Sequence, residues 1–200
     1  MLDARADAYG HGVSLLAPIA QHAGIAALLL SDEADAELAS AAGFRGELRV
    51  GRTSSTLPGT EFAYGAAAGA RPVLTLIGEV IAVKRVPADA GISYGYSYRT
   101  SGAATLALVG LGYADGVPRL ASNRATVQVG SARHPLVGRV AMDQFVVDCG
   151  EDVPELGSEA VLFGDPERGA PTALDWAAAT ERSPLDLTAG LGRRIVREAR

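Results

Sequence analysis

The sequence predicts a mixed α+β chain, a partial βαβαβ layer followed by an antiparallel β-domain. Three observations predict it. The first fifty residues alternate short apolar runs with helical periodicity, the order of a parallel sheet with right-handed crossovers. From Val73 onward the pattern changes to short strands separated by Gly, Pro, Asn or Asp. Between the two, Gly51 to Pro72 is rich in Gly, Ser, Thr, Ala and Pro and holds no further βα unit. The expected domains are therefore residues 1–71 and 72–200.

Leu2 to Ala6 reads as a short strand and Asp7 to Gly12 as a turn, too glycine-rich for regular structure. A helix follows over Val13 to Ala23, with Val13, Leu16, Ala17 and Ala20 on one face and Gly24 as its stop. Ile25 to Leu30 is a continuous apolar run, the pattern of a parallel strand covered on both faces. Ser31 is placed to cap a second helix, Asp32 to Ala42, whose early acids suit the positive end of its dipole and whose stop is Gly43. Glu47 to Val50 is the third strand. A complete eightfold βα barrel takes about 200 residues or more, so the stretch before Pro72 cannot close one. Its edges at Leu2 to Ala6 and Glu47 to Val50 call for cover from Gly51 to Pro72 or from another chain, and a homodimer is expected.

In the second region Val73 to Val86 reads as one long strand or two, bent near Gly78. Ile92 to Arg99 alternates Tyr94, Tyr96 and Tyr98, which a strand would set on one face. Thr105 to Leu111, Thr126 to Val129, Arg133 to Val137, Gln144 to Asp148 and Ala160 to Phe163 complete the set expected of an antiparallel domain or partly closed barrel. Ala173 to Thr180 and Pro184 to Leu191 read as short helices, and Ile195 to Arg197 as a last strand.

Hydrophobic residues make up 48% of the 200, enough for a packed core. A net charge of -5 without any basic run argues against nucleic acid or an anionic membrane as partner. Cys149 is the only cysteine, and His11, His22 and His134 lie far apart, so neither a disulfide nor a metal site is expected. No apolar run reaches the roughly 18 residues of a membrane span, and the N-terminus lacks the order of a signal peptide. A soluble, cytoplasmic protein is the expectation. Lys84 is the only lysine, so lysine-based covalent chemistry has a single candidate.

Tyr113 follows the apolar run of Thr105 to Leu111, with Gly112 expected to turn the chain and Asp115-Gly116 and Pro118 supplying a turn signal. The phenol is thus presented at a strand-to-loop corner, a common position for a working side chain, or for a tyrosine that only caps a backbone group. With ADAYGHG at Ala6 to Gly12 and GRVAMDQ at Gly138 to Gln144, the stretch GYADGVPR at Gly112 to Arg119 resembles the alanine racemase family, in the family's own order. VIAVKRVPADAGISYG at Val80 to Gly95 and TAGLGRRI at Thr188 to Ile195 add two further matches.

The resemblance implies a pyridoxal-phosphate barrel joined to a β-domain, working as a head-to-tail homodimer in which a lysine and a tyrosine of the partner subunit move the proton. On motif position that tyrosine is Tyr113. On the resemblance Met142 and Asp143 would reach the neighbour's site and Tyr9 falls on a residue that holds the cofactor phosphate. Arg139 and Tyr94 are further candidate substrate-binding residues, Tyr94 on a tyrosine face that serves either a small-molecule pocket or ordinary strand packing. His11 is a loop-fixing residue.

Three departures oppose the family's chemistry. Arg5 occupies the place of the Schiff-base lysine, and a guanidinium, protonated at any ordinary pH, neither attacks an aldehyde nor abstracts a proton. Lys84 lies in a β-domain stretch where the family gives a lysine no catalytic part. After the region resembling Glu47 to Gly51 the chain passes straight to Leu57-Pro58-Gly59 and Tyr64-Gly65, similar to a worn copy of the barrel's last strand, with Leu57 in the place of the arginine that tunes the pyridine nitrogen. Leu185 stands where the family carries a phosphate-binding tyrosine.

No cofactor is therefore expected, and the first functional reading is a cofactor-independent isomerase, cyclase or lyase acting on a small carbonyl-containing substrate at a subunit interface. Tyr113 would be its general acid/base. A phenol ionises near pH ~10, so it needs a cation close by, and Arg5 brought by the partner subunit is the candidate. The alternatives are a non-catalytic binding or oligomeric remnant, with Arg5 in a structural ion pair with Asp3 or Asp7, and an active pyridoxal-phosphate racemase.

Overall fold

The computed structural model describes residues 1–52 and 55–199. Its first unit is a three-stranded parallel sheet of order β1-β2-β3, formed by β1 (Leu2–Asp3), β2 (Ala27–Leu30) and β3 (Glu47–Val50). Between β1 and β2 run a single turn, α1 (Arg5–Tyr9), and the helix α2 (Val13–His22); α3 (Glu33–Ala41) joins β2 to β3. All four residues of β2 are buried, as its unbroken apolar run requires of a central parallel strand. Helix α2 turns Val13, Ala17 and Ala20 into the core, with Leu16 half-buried beside them. Helix α3 is capped by Asp32, not Ser31: the Asp32 carboxylate accepts the Asp35 N–H at 2.9 Å.

The first strand is shorter than the expected Leu2 to Ala6. It stops at Asp3 because the chain enters a left-handed turn in which Ala6, Asp7, Ala8 and Tyr9 have φ of 52°, 53°, 55° and 51°. L-residues reach that region at a cost of roughly 1–2 kcal/mol each, so surrounding contacts must hold the turn. They are present: the Ala6 N–H donates to Ser31 Oγ at 2.7 Å, Asp7 Oδ1 accepts the Val13 N–H at 2.8 Å, and Arg197 Nε donates to the Gly10 carbonyl at 2.6 Å. Gly10 itself has φ 80°, and a Cβ there would lie 1.9 Å from the Thr188 carbonyl oxygen, so the position admits only glycine.

Residues after β3 include one helical turn, α4 (Thr60–Ala63). This segment meets the open side of β1, where the Tyr64 hydroxyl donates to the Asp3 carbonyl at 2.7 Å and the Leu57 N–H reaches the Asp3 carboxylate at 3.3 Å. Among the described residues no strand pairs with the outer edge of β3, and Glu47, Arg49 and Val50 are exposed along it.

The second unit is a closed antiparallel barrel of order β10-β7-β4-β11-β8-β9. Its long strand β4 (Leu76–Val86) is followed by the short pair β5 (Gly91–Ile92) and β6 (Tyr98–Arg99), then β7 (Ala104–Val109), β8 (Thr126–Val129), β9 (Ala132–Val137), β10 (Phe145–Gly150) and β11 (Glu159–Phe163). Phe145, Val147 and Cys149 of β10 point inward in strict alternation. Strand β4 is irregular at a bulge between Val80 and Ala82 rather than at Gly78; Gly78 leaves room for Val109, whose Cγ1 a Cβ would meet at 2.7 Å. Helix α5 (Ala173–Thr180) closes one end: Trp176 is 1% exposed, meets Phe163 edge-on at 6.1 Å and donates its indole N–H to the Thr126 carbonyl. Helix α6 (Pro184–Ala189) then returns toward the first unit and buries Leu185 in that unit's core with Phe44 and Tyr64.

Two expectations fail in this unit. Ile92 to Arg99 is not a strand: Tyr94–Tyr96 form a 3-10 turn with Ser93, Gly95 and Tyr96 at positive φ, and the Tyr96 ring folds onto Gly91. Tyr94 and Tyr96 are 75% and 64% exposed, so the three tyrosines line no common face. Ile195 to Arg197 forms no strand among the described residues; it continues irregularly after a turn from Gly192 to Ile195.

Candidate functional site

The site residues read from the sequence fall into two clusters. The first is built on Asp3. This residue is fully buried at the end of β1, and its carboxylate receives Arg5 through both Nε at 2.8 Å and Nη2 at 2.6 Å. The Tyr9 hydroxyl donates to the same carboxylate at 3.0 Å. Arg5 Nη2 also donates to the Ser55 carbonyl at 2.9 Å. Burial pushes the Asp3 carboxyl upward, but the bonds from Arg5, Tyr9 and two backbone N–H groups outweigh it and hold the acid below the usual carboxylate range. The same bond to Asp3 raises Arg5, and burial followed by the Asp3 contact raises Tyr9, which stays a phenol donor. Tyr64, raised by burial, lies tilted against the Tyr9 ring at 5.4 Å and the His11 ring at 4.8 Å. Burial lowers His11, whose Nδ1 lies 3.0 Å from the Ala8 carbonyl, so the ring pins the glycine-rich turn.

The second cluster stands at one rim of the barrel, where three sequence motifs meet. The Tyr113 and Ala114 N–H groups donate to the carbonyls of Ala141 and Met142, both at 3.0 Å, which stitches GYADGVPR to GRVAMDQ. Gly112 is extended there, with φ −147°, and does not turn the chain by conformation. It is glycine because a Cβ would lie 2.3 Å from the Met142 carbonyl oxygen. Asp115, 6% exposed, accepts the Gly112 N–H at 2.8 Å and binds Arg194 of the closing motif at 2.9 Å; Arg194 reaches on to Asp143 at 2.8 Å. The result is a rigid corner that leaves Tyr113 and Met142 45% and 54% exposed. The Arg119 guanidinium carbon sits 5.8 Å from the centre of the Tyr113 ring.

Along the same rim Tyr94 and Arg139 border one cavity of about 320 Å³. The guanidinium carbon of Arg139 packs on Gly95, 3.4 Å from where a Cβ would stand.

Arg5 and Tyr113 share no hydrogen bond, ion pair or cavity within the chain among the described residues. Tyr9 belongs with Arg5; Met142 and Asp143 belong with Tyr113. Sequence reasoning missed Asp115 and Arg194 as parts of the rim, and Arg182, which lines a cavity there with Tyr113 and Arg119. The three-residue spacing from Gly112 to Asp115 is the signal for the first, and nothing local signals the others. Among the described residues no group of His, Cys, Asp and Glu is arranged to hold a metal, and no helix is long and apolar enough to cross a membrane.

Residues 73–199 match the model of the alanine racemase C-terminal domain. The alanine racemase of Streptomyces coelicolor is 49% identical over 140 residues, 70% of this chain and 36% of the relative. The solved structure of alanine racemase from Streptomyces coelicolor A3(2) superposes with a TM-score of 0.67 and 35% identity over 92% of this chain and 59% of that one. That of Clostridium difficile 630 gives a TM-score of 0.82 over 98% of this chain and 87% of that one at 17% identity, a likeness of fold. The matched stretch is thus about a third of the curated relatives' length. With its family model spanning the whole barrel and the motifs that form its rim, the chain belongs to the alanine racemase C-terminal domain family.

Proposed function

We propose that this chain has left pyridoxal-phosphate chemistry and acts, as a homodimer with its site at the subunit interface, as a cofactor-independent isomerase-type enzyme on a small carbonyl-containing substrate. The observation that carries the reading is the Arg5–Asp3 pair. A Schiff base needs a free amine, and this position holds a guanidinium closed by two hydrogen bonds onto a buried carboxylate. Leu185 adds to the misfit, since it lies in the apolar core and offers an anionic group no polar contact from its side chain.

The barrel rim supplies what proton transfer requires. Tyr113 is exposed on a corner fixed by Asp115 and Arg194, with the Arg119 guanidinium over its ring. In the proposed step the Tyr113 oxygen takes the proton from the carbon next to the carbonyl, an arginine stabilises the enolate oxygen that forms, and the resulting phenol returns a proton to that carbon. Arg5 is spent on Asp3 and Arg194 on Asp115 and Asp143, so the rim cations open to a substrate are Arg119 and Arg182 beside Tyr113 and Arg139 beside Tyr94. The second pair makes Tyr94 a competing acid/base on geometric grounds.

Deuterium uptake next to the carbonyl in a panel of 2-oxo acids in D2O tests the reading. Tyr113→Phe is expected to abolish exchange, while Tyr94→Phe leaves it. The reverse pattern assigns the step to Tyr94, and exchange surviving in both overturns the rim. A visible aldimine band in protein incubated with pyridoxal phosphate, lost on borohydride treatment, would restore the cofactor. The closed Arg5–Asp3 pair also favours a non-catalytic binding module, which predicts a ligand that raises the melting temperature with no exchange in any substrate.

A further inference from the structure

We infer that the cavity beside Tyr113 is a carboxylate-binding subsite, so that the substrate class is a small carbonyl compound bearing a carboxylate; this rests on the proposed reading of the rim for its catalytic meaning alone. The cavity holds about 390 Å³, inside the roughly 300–1,000 Å³ of small-molecule sites. Tyr113, Arg119 and Arg182 supply its polar lining, and Val117, Pro118 and Leu120 its apolar wall.

Charge is the first argument. The chain carries an excess of acids, 23 against 18 basic residues, yet no acidic residue lines this cavity. Neighbouring acids are engaged elsewhere: Glu181 holds Arg124 at 2.7 Å, the Asp186 carboxylate accepts the Ser183 N–H at 3.5 Å, and Asp115 holds Arg194. Arg85, Arg124 and Arg194 of the same domain are each matched by a carboxylate, whereas Arg119 and Arg182 have none among the described residues. Two guanidinium groups without a counter-ion therefore face one concave, partly apolar space.

Geometry is the second. The Arg119 guanidinium carbon lies over the Tyr113 ring at 5.8 Å, and among the described residues its N–H groups make no hydrogen bond within the chain. Those groups form the fork that pairs with a carboxylate through two parallel bonds. Arg182 Nη1 packs 4.0 Å from the Cβ position of Gly190, which lines the same cavity, and its backbone is fixed by the N–H bond to the Ala177 carbonyl. The phenol of Tyr113 lines the same space, so an acid held there brings its carbonyl toward the hydroxyl.

Titration of the full chain with succinate, followed by calorimetry at constant ionic strength, tests the assignment. Saturable binding is expected, weakened about tenfold or more in Arg119→Gln and in Arg182→Gln and unchanged in Arg85→Gln, with Arg119→Lys intermediate because it keeps the charge and loses the fork. Thermal melts of each variant exclude a folding defect. Unaltered binding in Arg182→Gln, binding that never saturates, or inorganic phosphate binding tighter than succinate would overturn the carboxylate subsite. If succinate binding depends on both arginines but no substrate exchanges deuterium, the subsite stands and the catalytic reading falls. If exchange requires Tyr113 while neither arginine changes KM, the subsite falls and the reaction stands.

Discussion

A carboxylate with no contact to water must be compensated by its neighbours, and Asp3 is compensated chiefly by one side chain two residues away. Removing one partner of such a pair strands a buried charge, which costs about 3–5 kcal/mol, whereas replacing both by apolar groups is often close to neutral. Arg5→Met is therefore expected to lower the unfolding free energy by about 3 kcal/mol in urea titrations, and the double variant Asp3→Leu/Arg5→Met to recover most of it. The sign of the pH dependence follows from the direction of the shift. Asp3 is held below its unfolded value, so its contribution is complete above the ordinary carboxylate range and is lost as pH falls through the depressed folded value. Urea midpoints measured from neutral pH into the acid range should fall for the parent chain. In Arg5→Met that acid-side loss should shrink, because the carboxyl no longer ionises at low pH. Of this cluster the sequence made Arg5 and its possible acidic partners legible; it did not reveal that Tyr9 and Tyr64 close over the same residue, since Tyr64 comes from sixty-one residues away.

At the scale of elements, close approach and not conformational freedom explains the rim's glycine. Gly112→Ala would force a methyl against the Met142 carbonyl and separate the two segments that fix Tyr113. A loss of about 1–3 kcal/mol is expected, read as a lower Tm. Alternation was the weak signal in this region. Tyr94, Tyr96 and Tyr98 repeat every second residue as a strand face would, but Gly91 accepts the Tyr96 ring and Gly95 turns left-handed, so the same spacing folds into a 3-10 turn. Periodicity was reliable where burial enforced it, as in β2 and β10, and failed on exposed segments where no core selects a face. The helices α2, α3 and α5 were legible because each combines an apolar face with a polar start or a clear stop.

For the molecule as a whole, closure of the barrel contrasts with the open edge of β3. Cys149 reports on the barrel: it is 3% exposed in the main core, and burial pushes its thiol up to about 11. At pH 8 a thiol reagent should leave it unmodified in the native state and label it at the rate at which the barrel opens. The exposed β3 edge and the exposed rim both favour association, and light scattering at micromolar concentration should give twice the monomer mass. One further consequence concerns the order of events during synthesis. The left-handed turn after β1 sits against Thr188 and is tied by Arg197, so its clasp is made from residues translated nearly two hundred positions later. On the ribosome the nascent turn has only its near contacts to Ser31 and Val13 and should relax in part toward ordinary backbone conformations, its final twist being locked once the far end of the polypeptide has emerged and folded back.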